Sequence, residues 1–284
     1  MKLLRASLAC LALSACSGIA LAQESDRVTV PLSDPSRPGS VQVSLITGSI
    51  TVTGRDIKDV IVEMHGGSTK ERPIPDEARG LRRLTTSASI SVEEKDNRVE
   101  ISAPPQRSVR LEIQVPKKTN LELSTVNNGS IEVTGVEGEL EISNVNGEVE
   151  LSDVSGAVVA HTVNGRVLAT LNRIASDKPM AFTSLNGVVD VTLPPSVKAN
   201  FKLRTDNGSA FTDFELQMLP RTSEPTIEDT RRKNGRYRID VNKMVYGSVN
   251  GGGPEIEMRT FNGNIYLRRA GSSSGETAAP PPKR

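Results

Sequence analysis

The sequence predicts an all-β protein wound as a β-solenoid of parallel β-helix or β-roll type, with about 18–22 residues per rung. Three observations predict it. Segments built on Asn-Gly recur at a fixed interval: Asn128-Gly129-Ser130-Ile131-Glu132-Val133, Asn146-Gly147-Glu148-Val149-Glu150-Leu151 and Asn164-Gly165-Arg166-Val167-Leu168-Ala169 follow one another at 18 residues. Apolar and polar residues alternate on both sides of each Asn-Gly, the period of a half-buried strand, and no stretch has a comparably clear helical period. Aromatic residues make up 3% of the 284 residues and Trp is absent, which suits a thin aliphatic core.

Looser copies of the unit stand at Asn186-Gly187, Asn207-Gly208, Asn250-Gly251 and Asn262-Gly263, with an earlier degenerate one at Thr47-Gly48. Two positions after the Gly sit Ile50, Ile131, Val149, Val167, Val189, Ala210 and Ile265, an expected inward column. The paired apolar positions upstream are Leu140/Ile142, Val158/Ala160, Met180/Phe182, Phe201/Leu203, Met244/Tyr246 and Ile256/Met258. Phe182, Phe201 and Tyr246 thereby fall on inward columns. Asn-Gly between alternating strands is also the usual hairpin signal, because both residues tolerate positive φ. An antiparallel β meander or sandwich is therefore the alternative. Strict recurrence favours stacked rungs, which place identical side chains in columns and let corner Asn side chains form hydrogen-bonded ladders. Val136 and Val154 mark a second corner.

The remaining segments frame the array. Residues 1–22 read as a signal peptide: Lys2 and Arg5 precede an apolar run, and Ala20-Leu21-Ala22 before Gln23 is a small-residue cleavage pattern. A competing route is lipoprotein processing, with Leu13-Ser14-Ala15-Cys16 as a lipobox and Cys16 lipidated. Residues 23–269 form a single solenoid domain, interrupted by exposed insertions near 67–88 and 218–239. The second carries basic residues at Arg231, Arg232, Lys233, Arg236 and Arg238. Ser89–Pro116 reads as further strands, and 270–284 has the composition of a disordered tail. An open terminal rung would offer unpaired backbone to another chain, so residues 27–46 and the segment after Leu267 are expected to cover the ends of the solenoid.

At the repeat region the chain resembles the bacterial DUF4097 family of adhesin-like β-solenoid envelope proteins. The resemblance rests on Thr47-Gly48-Ser49-Ile50-Thr51-Val52-Thr53-Gly54, on Ile113-Gln114-Val115-Pro116 through Thr125-Val126 leading into Asn128-Gly129, and on Gly251-Gly252-Gly253-Pro254 through Asn262-Gly263-Asn264-Ile265. It spans most of residues 41–269 and implies an exported solenoid in the cell envelope, with no catalytic residues to carry over.

Composition excludes most chemistry. Lys+Arg 35 against Asp+Glu 34 does not fit a nucleic-acid binder. Cleavage after Ala22 removes both cysteines, leaving no redox chemistry. His65 and His161 lack metal-ligand spacing, no Gly-x-Ser-x-Gly elbow is present, and the turns carry too little Asp for a calcium β-roll. No catalytic residue, cofactor site or metal site is assigned. The most informative surface feature is charge: from Asn120 to Gly165 there are eight acidic residues and no basic one. In the 18-residue register Glu132 stacks beside Glu150, which is unfavourable, and Glu148 beside Arg166, which is favourable. Glu132, Glu148 and Glu150 define the candidate surface patch. The expected role is an exported, non-enzymatic binding or scaffolding module of the periplasm or cell envelope. Its partner would be an envelope protein or polysaccharide, and it would touch a membrane only through an anchor at Cys16. Two further readings stand beside it: a glycan-active β-helix enzyme, and a lipid-anchored component of envelope-stress sensing.

Overall fold

A computed structural model describes residues 26–66, 90–103, 108–218, 226–230, 236–240 and 244–271. The signal segment with Cys16, Ala22 and Gln23, the 67–88 insertion and nearly all of the 270–284 tail lie outside the described residues. Every described regular element is a strand, and the pairing is mainly parallel and in register. The solenoid is present, and the meander is not.

Eight rungs stack along one axis. Each has a first-sheet strand, a corner and a second-sheet strand. In spatial order they are Arg98–Ser102 with Val109–Pro116; the two halves of Gly39–Arg55; Thr119–Asn127 with Ile131–Thr134; Glu137–Asn146 with the start of Val149–Asn164; the rest of that strand with Val167–Ile174; Met180–Asn186 with Val189–Leu193; Glu255–Asn262 with Ile265–Arg269; and Ala199–Asn207 with Ala210–Thr212. At about 4.8 Å per step the stack is roughly 34 Å long.

The core between the sheets is columnar. Leu111, Ile50, Ile131, Val149, Val167, Val189 and Ile265 follow one another through register pairs, each essentially without solvent exposure. Ala210 ends the column on the last rung and is exposed, which is why a small residue suffices there. The facing column is Val99, Val41, Leu121, Leu140, Val158, Met180, Ile256 and Phe201, all buried.

Three expectations need correction. The rungs do not follow chain order: Gly39–Arg55 is the second rung, so 39–46 does not cap an end, and of the segment after Leu267 Arg268 and Arg269 lie in the seventh rung while residues beyond 271 lie outside the described residues. The chain lays down an inner rung, makes an antiparallel excursion, and returns to build the outer one. At the near end Asp59–Gly66 pairs antiparallel with Val109–Pro116, Asp26–Pro31 pairs with Asp59–Gly66, and Ser91–Lys95 pairs with Arg98–Ser102. Of the expected cover at that end, Arg27–Pro31 acts as one through its pairing with Asp59–Gly66, while Leu32 packs into the core and Ser33 and Asp34 bond to the turn at Glu94 and Asn97. At the far end Met244–Val249 runs antiparallel against Ala199–Asn207, and Gln217–Met218 pairs antiparallel on the other side of Met244–Val249.

Second, Met244/Tyr246 and Asn250-Gly251 are not a rung. They belong to that cap strand and the turn after it, where Tyr246 is half-buried and Gly247, Ser248 and Val249 are buried. Third, the repeated Gly is not there for hairpin dihedrals. A Cβ on Gly147 would lie 1.9 Å from the Gly129 carbonyl oxygen, and one on Gly165 2.0 Å from that of Gly147. Stacked corners approach too closely for any side chain. Within the 218–239 insertion Thr226–Thr230 and Arg236–Asp240 pair as a separate antiparallel hairpin; residues 231–235 lie outside the described residues.

Candidate binding surface

The Asn-Gly corner is held by two parallel ladders. Inside it, Thr125, Thr162, Ser184, Thr260 and Thr205 are buried, and each hydroxyl donates to the corner Gly carbonyl of a neighbouring rung: Gly48, Gly147, Gly165, Gly187 and Gly263, at 2.8–3.0 Å. Asn144 takes the same place in its rung, donating 2.9 Å to Gly129, while its Oδ1 is buried without a partner. Outside, the Asn side chains form one directional chain, Asn207 donating to Asn262, then on to Asn186, Asn164, Asn146 and Asn127, at 2.7–3.2 Å. The sequence anticipated this outer ladder and not the inner one.

Between the ladders runs a line of apolar side chains, one on each of rungs two to seven: Ile46, Val126, Val145, Val163, Leu185 and Phe261. Ile46, Leu185 and Phe261 are 50%, 45% and 44% exposed. A residue between an inward hydroxyl and an outward Asn must point away from the core. Folding thus leaves an apolar ledge of about 24 Å along one corner.

The acidic block divides between the two outer faces. Glu132 and Glu150 are register neighbours on the second sheet, as expected, and Ser130 donates to Glu132 at 3.0 Å. Glu148 accepts from Arg166 at 3.0 and 2.9 Å, and this pair holds the guanidinium above its ordinary pKa, with Glu150 adding to the effect. The three patch residues do share one face, and Arg166 offsets their charge. Glu122, Glu139 and Glu141 lie instead on the first sheet, in a shallow groove with Ala157, Val159 and Pro179. There Lys178 pairs with Glu139, and the carboxylate raises the ammonium pKa. His161 is exposed, with Nδ1 2.7 Å from the Thr183 hydroxyl.

Sequence spacing missed two groupings. On the second sheet near its far end Phe211 stacks on Tyr266 at 5.4 Å, beside Arg268, which pairs with Asp190 at 2.9 Å. At the near end Glu63 and Glu112 are cross-strand partners, and His65 lies beside them with ligand atoms all within 4.8 Å of one another. Residues 63 and 112 are too far apart in the chain for any spacing rule to connect them. Among the described residues no helix is long and apolar enough to cross a membrane.

The chain matches the profile of the family described as Toastrack DUF4097 over residues 16–245. No curated protein matches it. Among solved structures it is similar to a candidate cell adhesion protein from Clostridium sporogenes at 13% identity and a TM-score of 0.46, spanning 87% of this chain and 100% of the other. It is also similar to candidate adhesins from Bacteroides fragilis (10% identity, TM-score 0.29, 87% and 97% covered) and Parabacteroides merdae (7%, 0.28, 86% and 96%). Likenesses at this level carry no functional argument.

Proposed function

Because this chain belongs to the Toastrack DUF4097 family, we propose that it is an exported, non-enzymatic binding or scaffolding module of the cell envelope, adhesin-like in its action. The observation that carries the reading is the apolar ledge between the two ladders. Six side chains repeat at one rung step on a support held by two hydrogen-bonded ladders. A rigid line of this kind is complementary to an extended partner, a protein segment or a polysaccharide chain, that offers apolar contacts at regular intervals. The rigid corner makes binding cheap in conformational entropy, since nothing in the ledge has to be ordered.

Export rests on the n-region, apolar run and Ala20-Leu21-Ala22 pattern. N-terminal sequencing of the processed chain tests it: a start at Gln23 gives a soluble periplasmic product, a lipidated Cys16 an anchored one, and an intact Met1 overturns export. Binding is tested by capture from envelope extracts and on glycan arrays, comparing the wild-type chain with Leu185→Glu/Phe261→Glu. The reading expects a partner retained by the wild type and lost by the double variant, with folding unchanged. Equal retention removes the ledge, and reproducible turnover of a glycan removes the non-enzymatic role.

A further inference from the structure

We propose that Glu63, His65 and Glu112 form a binding site for a divalent transition-metal ion of the zinc type, built where the antiparallel cap strand meets the first rung. Three features of the geometry carry it. Glu63 and Glu112 are direct cross-strand partners in the antiparallel pair of Asp59–Gly66 with Val109–Pro116. Two like charges placed there repel, and the pairing is unfavourable unless a cation sits between or beside them. Arg27 reaches one oxygen of Glu63 at 3.4 Å and offsets part of that charge. Glu112 has no arginine or lysine partner among the described residues; its close neighbour is His65.

The contact between His65 and Glu112 is the second feature. Nε2 lies 3.4 Å from Oε1 of Glu112, yet Nε2 is buried and has no hydrogen-bond partner. A tetrahedral zinc ion with bonds of about 2.0–2.1 Å holds its ligand atoms about 3.3–3.4 Å apart. The contact is not made as a hydrogen bond, and its length matches two ligands sharing one ion. Third, the ligand atoms of Glu63, His65 and Glu112 lie within 4.8 Å of one another, and all three side chains project from the outer face of the second sheet. Imidazole with two carboxylates suits zinc and neighbouring first-row ions better than calcium or magnesium, which prefer all-oxygen shells. Three protein ligands leave a coordination position open to water or to a donor from a partner.

The consequence is structural. The ion would tie the cap strand to the first rung through side chains, closing the near end of the solenoid where backbone edges need protection. Arg110, opposite His65 in the register, and Arg27 are the cations that compete with it.

The test is titration of the untagged chain with zinc chloride by calorimetry, with Cys10 and Cys16 replaced by serine if the leader is retained. One site in the micromolar range is expected, together with a rise in Tm on adding zinc. His65→Ala and Glu112→Gln should each weaken binding at least tenfold and abolish the zinc-dependent shift, whereas Glu148→Gln, on the same face but distant, should leave both unchanged. Should His65→Ala fold poorly, the milder His65→Gln carries the same expectation. Absence of heat at millimolar zinc, or equal affinity in the His65 and Glu112 variants, overturns the site.

Discussion

The two corners of the solenoid obey different rules. At the Asn-Gly corner, rungs two to eight turn within a few residues and carry a Gly, and on rungs three to eight a hydroxyl, or the Asn144 amide, bonds inward and an asparagine bonds outward. At the opposite corner the lengths vary: two residues lie between Pro116 and Thr119, five between Ile174 and Met180, and both long excursions, after Arg55 and after Thr212, leave from that side. At the Asn-Gly corner a Cβ has nowhere to go on any of those rungs; at the other, comparably close stacking is confined to the inner rungs at Gly54, Gly138 and Gly156, and the spacing varies beyond them. The first holds the stack together and the second accommodates change.

The contrast is broken most severely by Gly165→Ala. Its Cβ would meet the Gly147 carbonyl oxygen at 2.0 Å, against backbone that cannot rotate away, and a loss of about 3 kcal/mol is expected in denaturant unfolding. Four Gly/Ser residues inserted between Ser176 and Asp177, at the opposite corner, should cost less than about 1 kcal/mol. Equal costs at the two sites would erase the distinction.

Next in size is the difference between the ladders themselves. Thr162→Val leaves the buried Gly147 carbonyl without its 2.9 Å donor and should cost about 1–2 kcal/mol. Asn164→Ala interrupts the exposed chain, where water replaces the lost bonds, and should cost about half as much. Asn144→Thr should have the opposite sign. It restores the hydroxyl used in the other rungs and removes a buried, unpartnered Oδ1, so Tm should rise by a few degrees, a gain of about 1 kcal/mol.

The smallest effect belongs to the near end. Ser33 donates to Glu94 at 2.8 Å and Ser36 to Asp34 at 2.5 Å, and these hydrogen bonds hold both carboxyl pKa values below their ordinary values, Arg37 adding to the effect at Asp34. Depressed folded-state values mean the contribution is complete at neutral pH. It is lost as pH falls through and below the ordinary carboxylate range. Hydrogen exchange should show the 32–39 loop opening at pH about 3 while the interior rungs stay protected. Uniform exposure of both would place the acid-sensitive groups elsewhere.

Much of this was legible in the sequence, for a physical reason. The Ile131, Val149 and Val167 column and the Asn ladder repeat because close stacking imposes the same residue types at the same step. The rung order was not legible, because Gly39–Arg55 carries the same alternation wherever it is inserted; only its partners on both sides fix it. The neighbouring of Glu132 and Glu150 follows from register alone. The ledge was not legible because each of its side chains is an ordinary apolar residue next to the corner. The Glu63, His65 and Glu112 cluster arises from antiparallel pairing outside the repeat, so no periodicity could announce it.

Everything built on the ledge requires that the second rung lie between the first and the third, so that Ile46 stands next to Val126. Ser44 and Ser124 are register partners in those two rungs, with outward-facing side chains. Neighbouring parallel strands bring Cα atoms within disulfide range. In a chain whose own cysteines have been removed, Ser44→Cys/Ser124→Cys should therefore close a disulfide under mild oxidation, seen as a mass loss and a linked peptide pair. Two thiols that stay free in the folded protein would contradict the interleaved order and, with it, the continuous surface.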